Sequence, residues 1–384
     1  MSVKSKPKQF QALIAINVLD AFITGAYMLT VPLLMIKRGI SLSGIGLVFS
    51  AFPIAFLTFR MLFSSAADSI GFRKFFYLNA LGNLASASLY AVSMSPSSYA
   101  AAKAVQGVKE AALWAVNRSA AYEAAGDNNP QMASSTLLFI RAFAITVGAA
   151  ASGLLISYIS FEYVYTMLAA VSASIFIPSW ISNTGRRGNL TLRELFRRLD
   201  PRMVGRKTWR TAFVMSLYTA ASTFVAGFVL PIFLHERGLG YWEVGIILAA
   251  YMGTGAFLIP VTIRASPPVD RVVYAQALLY IPAAVLTPLI GGESMIIMVL
   301  IMGLGESISY ITWESLISRE AVGRENMATT IGFLHAPSNL VLIPSYVIAG
   351  VLVEKYGYMA PFSAAAVLFL LYSVAALRNL TRSS

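Results

Sequence analysis

Twelve apolar stretches follow one another along this chain of 384 residues, with almost nothing between them. They run over residues 10–36, 44–66, 75–94, 99–121, 135–158, 163–182, 211–235, 243–263, 271–290, 294–317, 326–350 and 359–378. A helix needs about 20 apolar residues to cross the hydrocarbon core, and each stretch is close to that length. The chain is 57% hydrophobic and only 12% charged, against roughly 25% charged in soluble domains. Its solvent is therefore mostly lipid. The expected fold class is all-α and polytopic, with twelve transmembrane helices. Domain by domain, this reads as a six-helix bundle over 1–182, a basic linker over 183–210 and a second six-helix bundle over 211–384.

The two bundles say the same thing twice. Val31-Pro32-Leu33 leads to Arg38-Gly39 and then Gly46, and Leu230-Pro231-Ile232 leads to Arg237-Gly238 and Gly245, 199 positions later. Gln106-Gly107-Val108-Lys109-Glu110 parallels Met302-Gly303-Leu304-Gly305-Glu306 at an offset of 196, and Met132-Ala133-Ser134 parallels Met327-Ala328-Thr329. Six spans is an even number, so equivalent spans keep their direction. The halves are then related by an axis along the membrane normal, one of the arrangements transporters use.

Charge placement fixes the expected orientation. Of 29 Lys and Arg, an N-terminus on the inner side leaves only Lys37, Arg38, Arg237 and Lys355 outside. The rest lie in inner segments, nine of them between Arg186 and Arg210, apart from four within spans. That is the positive-inside pattern, and it accounts for the formal charge of +12 without nucleic acid. The expected location is the plasma membrane, with both termini cytoplasmic. Met1 to Lys8 is short and basic and runs straight into the first span, with no small-residue cleavage site. In the linker, Leu192, Leu195, Phe196 and Leu199 keep helical spacing among Arg193, Arg197 and Arg198. They read either as a short amphipathic helix on the inner leaflet or as a solvated connector. With no Cys, thiolate metal sites and Cys nucleophiles are excluded.

Three local patterns carry a family resemblance. The loop after span two reads Ser64-Ser65-Ala66-Ala67-Asp68-Ser69-Ile70-Gly71-Phe72-Arg73-Lys74; Asp68, Gly71 and Arg73 match Gly-x-Leu-Ala-Asp-Arg-x-Gly-Arg-Arg/Lys, while Ser64, Ala66, Ser69 and Phe72 depart. Span four has Lys103-Ala104-Val105-Gln106-Gly107, similar to Arg-x-x-Gln-Gly with Lys for Arg. Span five has Gly148-Ala149-Ala150-Ala151-Ser152-Gly153, similar to the antiporter element Gly-Pro-x-x-Gly-Gly, with Ala149 for Pro and Ser152 for Gly. With twelve spans, the basic central loop and the repeat, the chain resembles the major facilitator superfamily of secondary transporters. The resemblance implies alternating access, a cavity lined by spans one, four, seven and ten, and an inner gate. Asp68, Gly71 and Arg73 fall on the gate, with Arg118 and its repeat counterpart Glu314 beside them.

Ionised side chains deep in a bilayer are costly and mark functional sites by default. Asp20, Glu110 and Glu306 lie near the middle of spans one, four and ten. Lys103 and Lys109 are also deep in span four. Lys103, Gln106, Glu110, Trp114 and Asn117 share one helical stripe, and Glu306, Tyr310, Trp313 and Glu314 form a similar one. Coupling to protons needs a carboxylate whose environment alternates between burial and a cationic partner. Asp20 and Glu110 with Lys103 are the proton-coupling candidates. A static ion pair between Asp20 and Lys103 is the structural alternative. Gln106, Trp114, Asn117, Glu306, Tyr310 and Trp313, with Tyr27, are the substrate-cavity candidates. Lys109 points about 100° from Glu110 and reads as a packing residue. Arg60 snorkels to the inner surface, and His335 is a hydrogen-bonding residue or a proton relay. Gly253-Thr254-Gly255 follows no strand and is no dinucleotide site.

The expectation is a monomeric secondary transporter of a small organic solute, coupled to protons and exporting by antiport. Uptake of a sugar or organic acid by symport is the alternative. No catalytic residue, metal or cofactor is expected, and the partners are solute, protons and the lipid bilayer. An intramembrane enzyme would need a nucleophile and base converging, and His235 and His335 lie 100 residues apart. A membrane sensor would carry an appended soluble domain.

Overall fold

In the computed structural model, the described residues are 7–125, 130–182, 205–265, 267–321 and 327–381. The 192–199 helix expected in the linker lies outside them, as does the side chain of Asp68. The described residues form helices and no strands. In order these are α1 (Pro7–Lys37), α2 (Leu42–Ile70), α3 (Phe72–Val92), α4 (Pro96–Ala125), α5 (Pro130–Tyr158), α6 (Phe161–Ser174), α7 (Phe176–Ile181), α8 (Arg206–Ala226), α9 (Val229–Glu236), α10 (Tyr241–Ala265), α11 (Val269–Leu286), α12 (Gly292–Ala321), α13 (Met327–Tyr356) and α14 (Met359–Thr381). The α6–α7 pair makes span six and the α8–α9 pair makes span seven, giving twelve spans among the described residues.

Proline explains both breaks. It has no N–H to offer the carbonyl four residues back. Pro178 leaves Ser174 without that bond, and α6 ends at Ser174. Pro231 does the same to Gly227, and α8 stops just before it, at Ala226. The repeat counterpart Pro32 lies inside an unbroken α1, because the residue four back is Met28, a far better helix former than glycine.

The described residues fall into two compact units. One comprises Met1–Ile40 and Ala51–Phe196, the other Ser41–Ser50 and Arg197–Ser384. The start of α2 thus groups with the second unit, where the Ser43 N–H donates to Glu354 Oε2 at 2.8 Å. The packing repeats between units. In the first, α1 pairs with α5, and α3 with α4 and α6; in the second, α8 pairs with α13, and α11 with α12 and α14.

The opening sequence repeat is a helix stop. Gly39 N bonds Ile36 O and Ile40 N bonds Met35 O; in the second unit Gly238 N bonds His235 O and Leu239 N bonds Leu234 O. This double pattern is a Schellman cap, whose glycine must be left-handed. Gly39 has φ 73° and Gly238 φ 92°. The preceding arginine then reaches sideways in both units: Arg38 donates to the Ser93 carbonyl and, at 2.8 Å, to the Tyr99 hydroxyl, and Arg237 donates to the Pro288 carbonyl at 2.6 Å.

The α1–α5 contact is a direct backbone approach. A Cβ on Gly25 would collide with the carbonyl of Ile145, and one on Gly148 with the carbonyl of Phe22. No side chain other than hydrogen fits at either place.

Among the described residues, nine helical stretches are long and apolar enough to cross a membrane, and α3, α4 and α10 are not among them. The first two fail for a physical reason. They carry Asn79, Asn83, Lys103, Lys109 and Glu110, all buried inside the first unit.

Candidate functional site

Four charged side chains from three helices meet in the first unit. Asp20 comes from α1, Lys109 and Glu110 from α4, and Arg141 from α5. Lys109 Nζ lies 2.8 Å from Asp20 Oδ1 and 2.7 Å from Glu110 Oε1, and its third donor reaches Thr24 Oγ1 at 3.1 Å. Its ammonium is therefore saturated. Arg141 lies 2.8 Å from Asp20 Oδ2 and 3.6 Å from Glu110 Oε2. Two carboxylates face two cations, so the cluster is electrically balanced.

The two carboxylates are held differently. Asp20 is fully buried and also accepts from Asn79 Nδ2 and Asn83 Nδ2, each at 2.9 Å. Glu110 keeps Thr24 Oγ1 at 3.1 Å and the Trp114 indole N–H at 3.0 Å. Its second oxygen thus has one neutral donor and one distant guanidinium. The Arg141 guanidinium stacks over the Trp114 ring, 5.0 Å from its centroid. One turn back toward the start of α1, Asn17 and Asn117 exchange two hydrogen bonds of 2.8 and 2.9 Å. A small cleft beside this pair is lined by Trp114, Asn117, Arg118, Leu137 and Leu138.

Several expectations change here. Asp20 pairs with Lys109 and Arg141 and not with Lys103. Lys103 sits elsewhere on α4, donating to Gln106 Oε1 at 3.1 Å, an oxygen that also accepts from the Tyr90 hydroxyl at 2.9 Å. Lys109 does pack on α3, its stem against Gly82, but its long side chain swings back to both carboxylates. Tyr27 is a core residue rather than a cavity lining: it is fully buried, and its hydroxyl meets Ser86 Oγ at 3.2 Å. Arg141, Asn17, Asn79 and Asn83 were missed. The expensive-charge rule that flagged Asp20 also applies to Arg141, mid-span in an apolar stretch.

In the second unit, Glu306 of α12 accepts hydrogen bonds from Ser222 Oγ of α8 and the Tyr251 hydroxyl of α10. Trp313 packs between Tyr218 and His335, with ring centroids 5.3 and 5.7 Å away. Tyr310 is half-buried and Glu314 exposed. Below them, Gln276 accepts from Thr312 at 2.7 Å and donates to Ser373 at 3.3 Å. Of the expected gate residues, Gly71 takes φ 85° before α3. Arg73 donates twice to the Ser182 carbonyl, at 3.1 and 3.0 Å. Arg118 is exposed.

The family model described as Major Facilitator Superfamily matches residues 13–341. No curated protein sequence matches the chain. Among solved structures, a point mutant of the nucleoside transporter NupG is similar at TM-score 0.76 and 17% identity, over 98% of this chain and 100% of that one. The human organic anion transporter MFSD10 (TETRAN) is similar at 0.72 and 17%, over 96% and 99%. A point mutant of a peptide transporter POT, in complex with sulfate, is similar at 0.72 and 13%, over 97% and 95%.

Proposed function

The chain belongs to the Major Facilitator Superfamily and is therefore a membrane transporter, not an enzyme; on that premise we propose that it exports a small organic solute by alternating access, in exchange for protons. The observation that carries this reading is the balanced cluster of Asp20, Lys109, Glu110 and Arg141 inside the membrane. A proton added to one carboxylate leaves a cation unmatched, which is costly in low dielectric. The cluster must then rearrange, and that rearrangement is what couples proton and solute movement.

Glu110 is the loading carboxylate in this scheme. Asp20 has two cations and two amides within 2.9 Å, whereas Glu110 has one close cation and two neutral donors. Lys109 bridges both. When Glu110 takes a proton, Lys109 falls to Asp20, and the Trp114–Arg141 stack loses its second anchor. Gln106, Trp114 and Asn117 serve as solute-facing residues of the first unit, and Glu306, Tyr310 and Trp313 as those of the second. Asp68, Gly71, Arg73, Arg118 and Glu314 serve the inner gate. The similar solved structures are a nucleoside transporter, an organic anion transporter and a peptide transporter, which supports an organic solute. We place the protein as a monomer in the plasma membrane, its two bundles and basic linker as read from sequence, with both termini cytoplasmic.

The test is solute flux in reconstituted vesicles under an imposed pH gradient. The gradient should drive flux in the wild type, and Glu110→Gln should abolish that response. Flux indifferent to both would overturn the proton coupling. The direction of flux separates exchange from uptake with the proton, which the loss of proline at Ala149 in span five favours.

A further inference from the structure

The interiors of the two units differ in charge. The first holds carboxylates and cations in matched numbers around Asp20. In the second, Glu306 has no Lys or Arg within ion-pair distance among the described residues. Among the described residues its carboxyl is met by two hydroxyls only, Ser222 from α8 and Tyr251 from α10. The Tyr218 hydroxyl, also from α8, donates instead to the Glu306 backbone carbonyl, at 3.5 Å. From α11, the backbone of Tyr280 packs directly against Gly305 and brings no cation. From α13, His335 stands beyond the Trp313 ring, two turns along α12.

The surroundings of Glu306 are open on one side. Tyr218, Thr219 and Ser222 of α8, and Glu306, Ser307 and Tyr310 of α12, are all only half-buried. Lipid cannot be what meets this strip, since an unpaired carboxylate and hydroxyls are among the groups a bilayer excludes most strongly. A polar strip of this kind faces a water-filled or ligand-filled space. One wall of the strip is aromatic, with Tyr218 packed on Trp313 at 5.3 Å. Aromatic faces attract organic cations, and most strongly where water is excluded.

We propose that Glu306 is a cation-recognition site, so that the solute carried by this transporter bears a protonated amine or quaternary ammonium group. This rests on the transporter reading above and gives its solute a charge. An ammonium group seated at Glu306 supplies the counter-charge that the protein itself does not, while its apolar substituents lie against Tyr218 and Trp313. The Ser222 and Tyr251 hydroxyls orient the carboxylate and remain bonded when the ligand arrives. In the first unit the corresponding position, Glu110, already has Lys109 as its ammonium, and a ligand cation finds no free charge there.

The experiment is equilibrium binding to the purified full chain in detergent, without any gradient, using benzyltrimethylammonium and, as its counterpart, phenylacetate. The wild type should bind the cation and not the anion. Glu306→Gln should weaken cation binding roughly thirtyfold or more, the size expected when one partner of a desolvated charge pair is removed. Glu306→Asp, which keeps the charge, should retain part of it. Circular dichroism and monodisperse elution establish that both variants are folded. Failure of the wild type to bind the cation, binding of phenylacetate in its place, or equal cation binding by folded Glu306→Gln overturns the proposal. Gradient-driven flux that accepts only neutral or anionic solutes would sink this inference and leave proton-coupled transport standing. Cation binding lost in Glu306→Gln, in a protein whose flux ignores the pH gradient, would do the reverse.

Discussion

Replacing Arg141 with methionine removes one cation from a closed cluster and changes little else in side-chain length. Asp20 then keeps Lys109, Asn79 and Asn83, but Lys109 must serve two carboxylates alone, and the interior of the first unit carries an unmatched negative charge. Breaking a buried pair by removing one partner costs about 3–5 kcal/mol. Insertion scales give roughly 2.5–3.5 kcal/mol for a lone Asp in the bilayer, so two independent routes agree near 3 kcal/mol. At ~2–4 °C per kcal/mol for a body of about 150–250 residues, thermal unfolding of the purified protein should fall by about 6–12 °C. The double variant Arg141→Met with Asp20→Asn restores the charge balance, with Lys109 left on Glu110. It should recover more than half of that loss. A double variant whose loss equals the sum of the two single losses would refute the argument, because the two side chains would then be energetically independent. So would a single Arg141→Met loss under about 1 kcal/mol, the range of solvent-exposed pairs.

Two further outcomes follow from the backbone. Gly39→Ala and Gly238→Ala each force a left-handed φ on an L-residue, at about 1–2 kcal/mol; thermal shift should show similar losses for the two, and a large loss at one alone would mean the caps are not equivalent. Gly148→Val should prevent accumulation of folded protein in the membrane, because its Cβ has no space against Phe22; wild-type yield and elution profile would contradict the close α1–α5 approach.

Periodicity made much of this protein legible. The twelve apolar runs follow from the spacing of residues along a helix, the repeated Arg-Gly pair marks the ends of two of them, and both have their counterpart in the structure. Pairing within the site was less legible. The direction of a Cα–Cβ bond put Lys103 on the stripe with Glu110 and turned Lys109 away. A lysine has four methylenes, however, and Lys109 reaches both Asp20 and Glu110 from the neighbouring face. The choice between the two lysines depends on how closely α3 approaches α4, which Gly82 sets and a linear sequence does not display. Asn79 and Asn83, one turn apart in span three, carried a weaker version of the same signal. Two amides on one face of an apolar helix need a buried partner, and that partner is Asp20.

The glycines that seat α1 on α5 also decide which part of the site can move. Asp20 and Arg141 stand on two helices in direct backbone contact at Gly25 and Gly148, so their separation is set by that close packing and widens only if the helices part. They behave as a fixed post. Lys109 and Glu110 arrive on α4, and the lysine is bound to the post only through its own flexible stem. Any cycle of proton loading is then confined to α4 and its side chains turning against a stationary pair.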